Sequence, residues 1–300
     1  MLLHATGGKG ITGFLTEVLL DGVIDTLKLI PFLFLTFLLM EFIEHKASSR
    51  ALGFIRKAGS LGPLPASLAG VVPQCGFSAA AANLYTGKVI TLGTLVSVFL
   101  STSDEMIPIL IAGELSAGDI LIILGYKVLV AVAVGFALDG ILKLLGKEGE
   151  DINIDEICEA DDCHCERGIF YSAIHHTLTT GLFILAVTIF INTVVMAIGE
   201  EALSSIMHGR AFLSHIVASI FGLIPNCAAS VTLATLASEG LISVGTMLSG
   251  LFSGSGVGIL VLFRANKNLK QNILITLLLV LCGIIFGFLA DFIPSLYALM

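Results

Sequence analysis

Tryptophan is absent from the 300 residues, tyrosine occurs four times, and only 13% of positions are charged. Soluble domains are about a quarter charged. A value this low, with 56% hydrophobic residues and a mean hydropathy of +1.01, excludes an ordinary soluble globule and points to an integral membrane protein. Without Trp, and with so little Tyr, no aromatic belt marks the membrane boundaries. No basic face is present, so nucleic acid is excluded as a partner. No G-x-x-x-x-G-K-[ST], G-x-S-x-G or H-E-x-x-H occurs. The chain therefore has no nucleotide-driven motor of its own, and neither an enzymatic activity nor a resident cofactor is expected. The stretch MLLHATGGKGITGF lacks the basic start and small-residue cleavage site of a signal peptide. The first membrane helix is expected to serve as its own targeting signal, preceded by an amphipathic interfacial helix over residues 11–22.

The net charge of −8 is concentrated: nine of the 23 acidic residues fall between Glu148 and Glu166, a window with no basic residue. Elsewhere acids and bases nearly balance. Apolar runs at Ile30–Met40 with its flanks, Ile120–Leu138, Gly181–Ile198 and Ile273–Leu289 each suit a spanning helix. A multi-pass protein of a prokaryotic plasma membrane is expected, with the lipid bilayer as its first partner.

Residues Gly70–Ser103 align without a gap on Gly222–Ser255, with twelve identities over 34 positions. The pairs include Gly70/Gly222, Pro73/Pro225, Cys75/Cys227, Ser78/Ser230, Gly93/Gly245, Thr94/Thr246, Ser97/Ser249, Ser101/Ser253 and Ser103/Ser255. The same offset of 152 carries GFALD (135–139) onto GFLAD (287–291), and one residue less carries DTL (25–27) onto HTL (176–178). This predicts an all-α protein made of a first transmembrane repeat over 1–145, an acidic cytoplasmic loop over 146–168 and a second repeat over 169–300. Each repeat reads as a long helix (about 22–45; about 170–198) and two short segments meeting at Pro-x-Cys. A Gly/Ser-broken helix follows (88–113; 240–263), then a final long helix (119–145; 271–298). The short segments either cross or re-enter, giving about ten segments in total. Either way each half crosses an odd number of times and the second is inverted. Loop charges agree with inversion: with 45–57 inside, eleven of the 15 Lys and Arg fall inside, Lys9 and Arg210 outside, and Lys28 and Lys127 within helices.

Inverted repeats are typical of secondary transporters, whose sites lie at mid-membrane where broken helices of both halves meet. Pro73 and Pro225 would break their helices there. Cys75 and Cys227, with Gln74 and Asn226 beside them and Ser78 and Ser230 one turn on, would offer thiolate and amide ligands to a thiophilic ion. The run Ser101–Thr102–Ser103–Asp104–Glu105 aligns with Ser253–Gly254–Ser255–Gly256–Val257, so one repeat carries two acids that the other lacks. Acids at membrane depth mark an ion or proton path. Asp25, aligned with His176 beside His175, forms a candidate proton relay. Glu41, Asn192, Asp139 and Asp291 are weaker candidates near helix ends. The loop places Cys158, Cys163, His164 and Cys165 within eight residues, a spacing that does not match a closed zinc site but suits capture of a soft metal, the alternative being a solvated acidic linker between the repeats.

The stretch PQCGFSAAAANLYTGKVITLGTLVSVFLSTSDE resembles the arsenical permease superfamily, in which a Pro-x-Cys segment precedes a basic turn and a Ser-Thr-x-Glu-type run. The whole chain is more closely similar to its sister group, the ten-transmembrane heavy-metal exporters, members of which are labelled arsenic efflux or manganese transporters. The likeness covers about residues 20–145 and 170–298. It implies that Cys75, Ser101, Thr102, Asp104 and Glu105 lie on the substrate path, with Cys227 as mirror. The chain has PQCG where the arsenical permeases often have two close cysteines. The expected activity is export of a metal cation or metalloid, the ion being substrate rather than cofactor; association of like chains is left open. The rivals are a thiol-redox membrane enzyme, a passive channel, and a carrier of a small organic anion, which would want a buried Lys28 or Lys127.

Overall fold

The computed structural model describes residues 61–71, 75–102, 106–112, 115–146, 169–198, 211–225 and 227–297, with single positions between 23 and 38. Asp25, the loop cysteines Cys158, Cys163 and Cys165, His164, and Ser103, Asp104, Glu105, Gln74 and Asn226 lie outside the described residues. Among those described, every regular element is helical. In chain order they are α1 (Pro63–Gly70), α2 (Cys75–Thr86), α3 (Leu92–Ser101), α4 (Met106–Ala112), α5 (Ala117–Leu144), α6 (Ile169–Ile198), α7 (Ala211–Gly222), α8 (Cys227–Ser238), α9 (Val244–Ser253), α10 (Gly258–Ala265), α11 (Leu269–Ala290) and α12 (Pro294–Tyr297).

The internal duplication is visible in the helix bounds themselves. Helices α2 and α3 begin and end 152 residues before α8 and α9; α1 and α7 end in register, and α4/α10 and α5/α11 begin in register. The turn after α2 repeats after α8: Lys88 and Gly240 both adopt left-handed backbone, with φ of 56° and 70°. In each, the N–H two residues past the helix bonds the carbonyl three back (Lys88 to Tyr85, Gly240 to Ala237), and the next N–H reaches back to Leu84 or Leu236. This is the helix stop that glycine favours, and Lys88 adopts it without being glycine.

Helix α5 has 28 residues, about 42 Å at 1.5 Å each, and α11 has 22. Both, and the α9–α10 segment Val244–Ala265, are long and apolar enough to cross a membrane. Their placement differs. Helices α5 and α11 expose Leu121, Leu129, Phe136, Leu274, Leu277 and Leu281, whereas α9 is buried from end to end. Apolar side chains face outward and small ones face inward, the arrangement of a membrane bundle, in which close backbone approach replaces hydrophobic burial as the packing force. A Cβ on Gly93 would overlap the Gly135 carbonyl, and one on Gly245 would sit 2.5 Å from the Gly287 carbonyl. Ser97 Oγ donates to the carbonyls of Gly93 and Ala131, both at 2.9 Å, tying α3 to α5. In the second half, Ser219 Oγ donates to the Ser249 carbonyl at 3.1 Å and Ser253 Oγ to the Ser219 carbonyl at 2.6 Å.

Helices α3 and α9 are capped by a carboxylate from the far end of the long helix. Asp139 Oδ1 accepts from Gly93 N at 2.9 Å and Oδ2 from Thr91 Oγ1 at 2.7 Å. Asp291 accepts from Gly245 N at 2.9 Å and Ser243 Oγ at 3.0 Å. Each carboxylate satisfies one orphan helix N–H and holds the N-cap hydroxyl, and the negative charge meets the positive helix end. Helix α11 stops at Ala290 rather than near 298 because Pro294 cannot continue the i−4 ladder; Asp139 makes the equivalent cap from within α5, which runs on to Leu144.

Candidate functional site

In each repeat the helices change at the same two places, and the helices that flank these places meet across the repeats. The backbone of Cys75 opens α2 and that of Cys227 opens α8, immediately after Pro-x; their side chains lie outside what the structure describes. Helix α3 ends at Ser101 and α9 at Ser253, each with four residues between it and the next helix. Thr102 and Gly254, the equivalent residues that follow, have extended ψ values of 128° and 94°. Contacts then cross between halves: α2 packs on α10, α8 on α4, and α3 on α9. The α2–α10 approach is close enough that a Cβ on Gly258 would lie 2.7 Å from Ser78 Cβ and 2.8 Å from the Phe99 ring.

A pocket opens at this centre. Its walls are the start of α8 (Ala229, Ser230, Leu233), the end of α9 with Gly254, and Thr102 from the other repeat. Of the residues predicted for the site, Thr102 and Ser230 line this pocket, Ser78 is fully buried where α2 meets α10, and Ser255 is buried. The Ser255 hydroxyl has no hydrogen-bond partner among the described residues. Ser101 and Ser253 are also fully buried, and their hydroxyls donate to backbone carbonyls. Ser101 Oγ donates to the Val98 carbonyl at 3.1 Å and lies against Gly70; Ser253 Oγ ties α9 to α7. Thr102 Oγ1 likewise donates to Val98, at 2.7 Å, leaving its own carbonyl available.

That carbonyl is taken by a residue whose role the sequence left open. Lys127, near the middle of α5, is fully buried. Its ammonium donates to the Thr102 carbonyl at 2.5 Å, lies 3.5 Å from the Leu251 carbonyl of the opposite repeat, and sits 5.9 Å from the Phe252 ring centre. Thr102 and Leu251 both line the pocket. The negative end of α3 and an aromatic face thus surround the charge. Repeat two has Leu279 at the corresponding position, so the ammonium, like Asp104 and Glu105, belongs to one half only.

Of the proposed relay, His175 is exposed on α6, while Asp25 and the side chain of His176 lie outside the described residues. A different histidine is buried. His215 on α7, where repeat one has Pro63, is fully enclosed. Its Nδ1 is 2.8 Å from Ser249 Oγ, and its Nε2 is 3.1 Å from Asp291 Oδ2, close but poorly aligned for a hydrogen bond. An alignment mismatch, His against Pro beside a matched Asp, was the signal that would have found it. At the other end of the bundle, Tyr85 Oη accepts from Gln271 Nε2 at 2.5 Å, Gln271 Oε1 accepts from Asn266 Nδ2 at 3.1 Å, and Asn266 reaches Asn272 at 2.8 Å. This polar chain binds α2 to the α10–α11 turn.

No protein family, curated protein or solved structure matches this chain. Among the described residues no cluster of three or more metal-ligating side chains is present.

The second aspartate cap carries a testable asymmetry. Asp139→Ala is expected to lower stability by about 1–2 kcal/mol, the usual cost of a lost cap and its hydrogen bonds. Asp291→Ala should cost more, because buried His215 also loses its carboxylate neighbour. Thermal unfolding of the detergent-solubilised protein checks this; a larger effect at Asp139 would contradict the role given to His215.

Proposed function

We propose that this chain is a secondary transporter of about ten membrane segments in two inverted repeats, exporting a metal cation or metalloid through the centre where the repeats meet. The observation that carries the reading is the paired interruption. Four helices resume after breaks at Pro-x-Cys and at the Ser-rich runs, both breaks of the second half and Thr102 after α3 of the first border one pocket, and membrane-buried irregular backbone is tolerated only where it packs in protein or lines a cavity. The inverted topology rests on the in-register duplication together with the distribution of Lys and Arg. The resemblance to heavy-metal exporters supports the substrate class, as do Cys75 and Cys227 at the openings of α2 and α8, with Asp104 and Glu105 supplying charge.

Buried Lys127 gives one alternative specific support: an ammonium at the site is what a carrier of a small organic anion would need. Its contacts favour the first reading, because its described hydrogen-bond acceptors are carbonyl oxygens, which belong to a site for a cation.

Purified protein in liposomes, assayed for flux of Mn²⁺, Zn²⁺, Cu⁺ and arsenite, tests the proposal. At least one should move in the wild type and be slowed in Cys75→Ala and Asp104→Asn. Equal movement of every species in both variants would defeat it, and carboxylate flux alone would favour the alternative.

A further inference from the structure

We infer that the Lys127 ammonium is a built-in stand-in for the transported ion, that the central site therefore takes a cation, and that this tethered charge lets the carrier return empty. The inference rests on the transport reading and narrows its substrate class.

The contacts around Lys127 are those that a cation needs. The Thr102 carbonyl lies just beyond the end of α3, where the helix dipole is negative and backbone acceptors lack intrahelical donors. The Leu251 carbonyl comes from α9 in the other repeat. The Phe252 ring adds its electron-rich face. Thr102 and Leu251, one from each half, border the pocket at the start of α8, and Phe252 follows Leu251 in α9. An ammonium fully buried among them is held by the features that would coordinate an incoming metal ion. The same carbonyls left bare in a low-dielectric interior would be costly.

This has a consequence for the transport cycle. A carrier must reorient once loaded and once empty, and the empty passage is blocked if the vacated site holds unsatisfied acceptors. Lys127 removes that block. When an ion occupies the pocket, the ammonium withdraws along its flexible stem; when the ion leaves, it refills the cradle. Its absence from repeat two, where Leu279 stands, means one such charge per site.

The test compares two fluxes of Zn²⁺ in the same proteoliposomes: net efflux into ion-free medium, and exchange against Zn²⁺ on the far side. In Lys127→Met, exchange should persist at a reduced rate while net efflux falls, so that the net-to-exchange ratio drops at least tenfold from wild type. An unchanged ratio overturns the inference. Should this variant fail to fold, amine labelling of Lys127 in the wild type, read by mass spectrometry, decides instead. Saturating Zn²⁺ should raise the labelling and arsenite, which is uncharged at neutral pH, should not; no change with Zn²⁺ overturns the inference. Wild-type protein that moves no ion at all sinks the transport reading beneath it, whereas wild-type flux with an unaltered ratio in Lys127→Met sinks only the role of Lys127.

Discussion

Gly258→Leu is expected to prevent stable assembly of the two halves, while Gly125→Leu is tolerated. Gly258 opens α10 with room for a hydrogen and little else: an added Cβ meets Ser78 on α2 and the fully buried Phe99 on α3 at under 3 Å. Neither neighbour has space to retreat, since Ser78 is also fully buried. Forcing extra methylenes into a packed interior costs about 1–3 kcal/mol, and more where backbone must move. Here the displaced contact joins the two repeats, so the loss falls on the centre. Gly125 on α5 has nothing within 4 Å of its Cβ position and is exposed; its substitution even removes a helix-interior glycine, which by itself is worth up to about 1 kcal/mol. The yield of monodisperse protein and its unfolding midpoint in detergent report both. Equal behaviour of the two variants would mean that the α2–α10 contact is dispensable.

The second large effect concerns the paired cysteines. In Cys75→Ala/Cys227→Ala, flux of a thiophilic ion such as Zn²⁺ or Cu⁺ should fall at least tenfold, equivalent to about 1.4 kcal/mol in the rate-limiting interaction. Each cysteine is the first residue of a helix that begins at the central break, and soft metals prefer sulfur ligands. Folding should be nearly unaffected, since a first-turn Cys→Ala change creates little strain. A variant that transports Zn²⁺ at the wild-type rate would remove both cysteines from the substrate path.

The interruptions were legible in the sequence because proline and the Ser/Gly runs disrupt helices through backbone chemistry alone. The duplication was legible because the matched glycines and serines sit where backbones touch, as at Gly93, Gly245, Ser97 and Ser249. The direction of a polar side chain was not. A serine in a membrane segment has carbonyls of the preceding turn and the adjacent helix within reach, and the hydroxyls of Ser101 and Ser253 donate that way. Lys127 read as one isolated charge in a long apolar run, and the backbone carbonyls among its partners leave no trace in residue identity. Asp139 and Asp291, weak candidates near helix ends, turned out to be caps, because nothing in GFALD or GFLAD names the distant helix whose amides they meet. His215 was passed over because its repeat partner is a proline.

The account depends most on the two halves lying in opposite orientations in the membrane. Gly118 and Lys270 occupy equivalent exposed positions, second in α5 and second in α11, so they report on the two halves at matched depth. Labelling of Gly118→Cys and Lys270→Cys in intact cells with a membrane-impermeant maleimide, over the parent background, should modify the first from outside and the second only after the cells are opened. Labelling of both from the same side would contradict inversion, and with it the single central site.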